Sequence, residues 1–139
     1  MKVIIVDDEP TMVSLYVSIL ETVGITNVVC FTSVLDALDH LNTAPIPGIV
    51  ISDFNMPDMN GFDFIKISRN NRNINSIKFV MVSGYELDSF MKKSLDDMNV
   101  PYFKKPFKMA EFRSYIKRLH TPHQERELVY NLQELIPCM

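Results

Sequence analysis

Four short groups of residues in this sequence could do chemistry, and each closes an apolar run. Asp7-Asp8-Glu9 follows Val3–Val6, and Asp53, with Asn55, Pro57, Asp58 and Gly61 behind it, follows Ile49–Ile51. Ser83-Gly84 follows Ile77–Val82, and Lys104-Lys105-Pro106 follows Val100–Phe103. Thr32-Ser33, after Val28–Phe31, offers only a helix cap. If Asp7, Asp8 and Asp53 met within about 5 Å, each pair of carboxylates would repel by roughly 3 kcal/mol at an effective dielectric of about 20. Such a cluster calls for a cation, and oxygen ligands with few dedicated groups suit Mg²⁺, which keeps waters and shares a phosphate. The ammonium of Lys105 and the hydroxyl of Ser83 add donors for an anion. A cation and a lysine facing a carboxylate form an electrostatic clamp for a phosphoryl group. Asp53 itself can serve as the nucleophile and become an aspartyl phosphate.

The elements that must bring these groups together are legible in the periodicity. The five apolar runs are short, β-branched and without strict alternation, the pattern of strands buried on both faces. Helix-period stripes lie between them: Met12, Tyr16, Ile19, Leu20, Val23; then Leu87, Phe90, Met91, Leu95, Met98; then Met109, Phe112, Ile116, Leu119. Pro10 suits a first helical turn, Ser33 with Asp36 resembles a capping box, Asn60-Gly61 precedes a helix from Phe62, and Gly24 and Pro45/Pro47 mark helix ends. Five β-α units predict an α/β domain with a doubly wound parallel sheet. In a flavodoxin-like order 2-1-3-4-5 the second strand lies at the edge, and the other four present their carboxyl ends to one cleft. That order would gather Asp7, Asp8, Asp53, Ser83 and Lys105. Residues 1–119 form this domain; 120–139 read as a C-terminal extension with a sixth helix over Gln124–Ile136, a partner or dimer surface or a link to something further.

Composition narrows the classes. The chain has 139 residues, 47% of them apolar, which suffices for one domain with its own core. No apolar run approaches the roughly 18–20 residues of a membrane span, and the N-terminus lacks the pattern of a signal peptide. Two cysteines, Cys30 and Cys138, make neither a disulfide framework nor a zinc cluster, so a cytoplasmic setting is expected, with Cys30 in a buried strand. His40, His120 and His123 show no ligand spacing and are expected at the surface. Charge is uneven: residues 1–63 hold nine acids and one base, residues 64–139 eight acids and thirteen bases. An acidic site on one side and a basic surface on another would produce this split.

At this point the residues resemble a known family, the CheY-like response-regulator receiver domain of two-component signalling, from Lys2 to about Leu119. The resemblance rests on Ile51-Ser52-Asp53-Phe54-Asn55-Met56-Pro57-Asp58-Met59-Asn60-Gly61, with Val6-Asp7-Asp8-Glu9-Pro10, Val82-Ser83-Gly84 and Tyr102-Phe103-Lys104-Lys105-Pro106-Phe107 in support. It implies that Asp53 is the phosphoacceptor, that Asp8 coordinates Mg²⁺ directly and Asp7 through water, and that Asn55 supplies a backbone carbonyl. Lys105 would pair with phosphoryl oxygens, Ser83 would be the hydroxyl that moves toward them, and Tyr102 the aromatic switch that follows Ser83. Pro106 would shape the Lys105 loop through a cis bond. Asn55 and Tyr85 stand where the family tunes phosphoryl lifetime, and a Tyr85 ring shading the acyl phosphate would lengthen it. The donor would be a phosphohistidine on a sensor histidine kinase or phosphotransfer protein.

Output would pass through the face made by the fourth helix, fifth strand and fifth helix, where Lys92, Lys93, Lys104, Lys108, Arg113, Lys117 and Arg118 supply positive charge. An acidic protein patch fits that face better than nucleic acid, because Asp88, Asp96, Asp97 and Glu111 intervene. A homodimer is a further expectation. Two other functions compete: an Asp-nucleophile phosphohydrolase, and a receiver-like binding module that is never phosphorylated. The hydrolase typically uses an acid two residues after its nucleophile, where Asn55 stands; the binding module would lack Asp8, Asp53 or Lys105, and all three are present. A flavin or nucleotide binder is disfavoured because no glycine-rich loop follows the first strand.

Overall fold

The computed structural model describes residues 1–120 except Ala44 and Asn73. Five β-α units run in order: β1 (Val3–Val6), α1 (Pro10–Thr22), β2 (Val28–Phe31), α2 (Val34–Leu41), β3 (Ile49–Asp53), α3 (Gly61–Asn70), β4 (Lys78–Ser83), α4 (Ser89–Asp97), β5 (Tyr102–Lys104) and α5 (Met109–His120). The strands pair in parallel in the order β2-β1-β3-β4-β5, as the alternation of elements predicts. The extension expected over 120–139, with its helix, lies outside the described residues from position 121 on.

Successive side chains of a strand point to opposite faces, and that alternation builds two cores. Ile4, Val6, Val50, Phe79 and Met81 face α2, α3 and α4, meeting Ala37, Leu41, Phe64, Ile65 and Leu95. Val3, Ile5, Ile49, Ile51, Val80 and Val82 face α1 and α5, meeting Tyr16, Ile19, Leu20, Phe112 and Ile116. The central strands β1 and β3 are therefore buried throughout. The edge strands β2 and β5 are not, contrary to the expectation of five doubly covered strands. Cys30 shows the consequence: it lies on β2, which pairs on one side only, and is exposed rather than buried.

Local signals act much as their chemistry dictates. Pro10 occupies the first turn of α1, and Gly24 ends the turn after it at φ +85°, a region where a side chain would be strained. Asn60 caps α3 by accepting from the Asp63 amide at 3.0 Å, and Asp88 caps α4 through the Met91 amide at 2.8 Å. Gly61 opens α3 where a Cβ would stand 2.6 Å from the Phe54 ring and 2.9 Å from Met81 Sδ, so only glycine lets α3 start this close to the sheet. Two stripe residues depart from expectation. Phe90 and Met109 each sit in the first turn of their helix and are exposed. His40 and His120 are half-buried rather than at the surface: His40 Nε2 lies 2.6 Å from Lys2 Nζ, and its ring tilts against Phe31.

Candidate functional site

The carboxyl ends of β1, β3, β4 and β5 meet in one cup. Asp7, fully buried, ends the β1 run and is tied to the edge strand by its amide, which donates to the Phe31 carbonyl at 3.0 Å. Asp53 ends β3 and is 7% exposed. Oxygens of Asp7, Asp8, Glu9 and Asp53 all lie within 4.8 Å of one another. Lys105 Nζ stands over them, 3.3 Å from Asp7 Oδ2, 3.3 Å from Asp53 Oδ2 and 3.5 Å from Glu9 Oε1. The structure thus gathers Asp7, Asp8, Asp53 and Lys105 as the strand order predicts, and it adds Glu9. That residue was legible only as the third acid of a run; its reach to Lys105 depends on where the α1 turn leaves its side chain.

Electrostatics follow from this crowding. Burial pushes the Asp7 carboxyl above its ordinary range, against the pull of the Glu9 amide (2.9 Å) and of Lys105. Burial draws the Lys105 ammonium down, but Asp53 and Asp7 together outweigh it, so the ammonium is held above its ordinary range. One ammonium facing four carboxylates leaves the cup net negative. Its donors are all hard oxygens, with no sulfur or imidazole, a set that fits Mg²⁺.

On the far side of Asp53 the loops are joined by hydrogen bonds. The Asn55 amide donates to Asp53 Oδ1 at 3.1 Å, and Asn55 Nδ2 donates to Ser83 Oγ at 3.0 Å. The Tyr85 amide donates to the same Ser83 Oγ at 3.1 Å, and the Tyr102 hydroxyl donates to the Tyr85 carbonyl at 2.8 Å. Tyr85 itself turns its ring outward and is 72% exposed. The Lys105 amide donates to the Ser83 carbonyl at 2.7 Å, and the Lys105–Pro106 bond is cis. Phe107, just beyond, stacks on Tyr16 and Phe112 and seats this loop on the core. Asp58 takes a role that its place in the sequence does not announce. Its carboxylate accepts from Ser33 Oγ (2.8 Å), the Val34 amide (3.3 Å) and the Leu35 amide (3.0 Å), so it caps α2. Ser33 is the N-cap of α2, as expected, its hydroxyl accepting from the Asp36 amide at 3.4 Å, and Asp58 reinforces it.

The basic face is less free than its composition implies. Lys92 and Lys104 both meet Glu86, at 2.5 and 2.8 Å; Lys93 approaches Asp97 at 4.0 Å and Lys108 approaches Glu111 at 3.9 Å. Arg113 turns to α1, donating to Thr22 Oγ1 and its carbonyl, and Arg118 lies over the Tyr115 ring. Among the described residues no helix is long and apolar enough to cross a membrane.

Known proteins resemble this chain in sequence and fold. Over 83 residues the chain is 30% identical to the chemotaxis protein CheY1 of Helicobacter pylori, covering 60% of this chain and 67% of the relative. Over 120 residues it is 27% identical to the chemotaxis protein CheY of Pseudomonas aeruginosa, covering 86% of this chain and 95% of the relative. The chemotaxis response regulator CheY4 of Vibrio cholerae superposes with a TM-score of 0.72 at 25% identity, covering 85% of this chain and 97% of that one. With the family model for the response regulator receiver domain matching residues 3–117, the chain belongs to the receiver domains of response regulators in two-component signalling.

Proposed function

We propose that this receiver domain takes a phosphoryl group onto Asp53 from a phosphohistidine of a sensor histidine kinase or phosphotransfer protein, and that the modification switches a protein-interaction face. The observation that carries the reading is Lys105 Nζ poised 3.3 Å from both Asp7 and Asp53 above a net negative, all-oxygen cluster. A carboxylate oxygen of Asp53 attacks phosphorus and the P–N bond to the donor imidazole breaks. The imidazole leaves with the electron pair and is protonated by solvent. Lys105 and the Ser83 hydroxyl stabilise the oxygens of the transferred group. Bound Mg²⁺ supplies charge neutralisation between the phosphoryl oxygens and the cup; Asp8, Asp53 and the Asn55 carbonyl would hold it, with Asp7 acting through water. No general base is required, because a carboxylate is already a nucleophile.

Tyr102, bonded to the Tyr85 carbonyl, carries the change toward α4, β5 and α5, where an acidic partner or a second copy of the chain would dock. Residues 1–119 form the receiver unit and 120–139 an appended segment, and the setting is cytoplasmic. A true hydrolase is disfavoured by Asn55, whose side chain is engaged with Ser83 and offers no acid at the position such enzymes use.

The test is to incubate the protein with Mg²⁺ and acetyl phosphate and to measure intact mass. A stoichiometric phosphoryl adduct that disappears in Asp53→Asn is the expected result. Sustained release of phosphate over many turnovers supports the hydrolase instead, and no adduct from any donor, kinase included, supports the binding module. The Tyr85 ring faces outward here, so Tyr85→Ala is expected to shorten the lifetime of the adduct only through a ring that swings over modified Asp53; a decay equal to or slower than the parent's removes Tyr85 from that role.

A further inference from the structure

We propose that Asn55 is a positioning residue that clamps Ser83 while Asp53 is unmodified, so that accepting an oxyanion at Asp53 requires the clamp to open. This deepens the phosphoacceptor reading and rests on it. A serine oxygen has two lone pairs and one proton. Here both lone pairs are used, one by Asn55 Nδ2 at 3.0 Å and one by the Tyr85 amide at 3.1 Å. With both accepted bonds in place, the direction of the hydroxyl proton is fixed. Ser83 is fully buried, and its Oγ makes no hydrogen bond to Asp53 or Lys105.

Asn55 stands between the two groups that must cooperate. Its main-chain N–H donates to Asp53 Oδ1 and its side-chain amide to Ser83 Oγ. The strand pairing places Asp53 opposite Val82, so Ser83 is the hydroxyl just past the acceptor on the neighbouring strand. For that hydroxyl to donate to an anion on Asp53, it must turn about its Cα–Cβ bond, and turning breaks the Asn55 contact. The Tyr85 amide bond is strained by the same turn, and through the Tyr85 carbonyl the Tyr102 hydroxyl is affected too. Asn55 therefore sets how readily Ser83 answers the anion. It is exposed, so its side chain can be exchanged without opening the core.

The experiment titrates the full chain with beryllofluoride, a phosphoryl mimic, at saturating Mg²⁺, and follows binding by calorimetry. Removing the clamp with Asn55→Leu, which keeps the shape but not the donor, is expected to tighten binding about five-fold, the equilibrium equivalent of one neutral hydrogen bond. In a Ser83→Ala background the same substitution is expected to change nothing, because the bond it removes is absent there. A second readout needs no ligand: the Tyr85 amide resonance of Asn55→Leu should move toward its position in the beryllofluoride-bound parent. Equal or weaker binding by Asn55→Leu, an equal gain in the Ser83→Ala background, or an unmoved Tyr85 resonance overturns the clamp. A parent that binds no beryllofluoride, or binds it as well with Asp53→Asn, overturns the phosphoacceptor reading itself.

Discussion

Two lysines that are neighbours in sequence make ion pairs of opposite kinds. Lys104 and Lys92 meet Glu86 at 2.8 and 2.5 Å, with all three side chains about half exposed. Lys105 meets Asp7 and Asp53 at the longer distance of 3.3 Å, but is itself 14% exposed and faces an Asp7 that is fully buried. The shorter contacts are the weaker determinants of the fold. Water and salt screen the surface trio, and holding long side chains in place costs entropy. In the cup the groups have little water to fall back on, so losing the one ammonium leaves buried negative charge uncompensated. The difference teaches that solvent access, more than interatomic distance, decides which ion pairs matter in this molecule.

The comparison can be broken most directly at Lys105. Lys105→Met keeps the apolar stem and removes the charge, and is expected to lower unfolding stability by about 3 kcal/mol, as for a buried pair stripped of one partner. Added Mg²⁺ should recover part of that loss in urea titrations; an unchanged midpoint would show that the cup is not held by charge. A smaller effect of opposite sign is expected from Asp7→Asn. Burial raises the Asp7 pKa, so its ionised form weakens the fold at neutral pH, and a neutral side chain should raise the midpoint by about 1 kcal/mol, the scale of single stabilising changes. The gain should fade as pH falls through the raised Asp7 range, where the parent also becomes neutral. A lower midpoint at pH 7 contradicts this account.

Asp58 sharpens the contrast, because it is exposed yet bonded to backbone amides. Its carboxyl is held below the ordinary range, chiefly by the Leu35 amide. Asp58→Ala is expected to cost about 1 kcal/mol, the usual value of a helix cap. The contribution of the carboxylate should be present at neutral pH and lost as pH drops through its lowered range. The smallest effect belongs to Glu86→Gln. Hydrogen bonds from Lys104 and Lys92 hold the Glu86 carboxyl down to about 2, so whatever it adds is lost only in strong acid. In moderate salt a thermal melt should show no difference from the parent at pH 7. A clear shift there would mean the trio is better shielded than its exposure indicates.

Much of the site was legible because strand ends in a parallel sheet share one rim. Asp7, Asp53 and Lys105 could be placed together from the order of apolar runs alone, though they are 46 and 52 residues apart in the chain. What the sequence left open depends on position within an element rather than on type. Cys30 reads like any β-branched neighbour, yet an edge strand leaves one side to solvent. Phe90 and Met109 fit their stripes yet are exposed, and the helical period alone does not tell a first-turn residue that packs from one that does not. Glu9 and Asp58 found partners through loops, whose paths carry no periodic signal. Asn55 stands out in the sequence by its place two residues after Asp53, but its bond to Ser83 arises only where the β3 and β4 loops lie side by side.

The pairing of β5 with β4 sets Lys104 opposite Ser83 and hands the next amide, that of Lys105, to the Ser83 carbonyl. Consecutive residues point to opposite sides, so a slip of one position would exchange the two ammonium groups between acidic cup and open surface. The three-residue strand at the margin of the sheet thus works as an alignment key: its hydrogen-bond ladder, and no difference in side-chain chemistry, decides which of two identical cations enters the acidic cup.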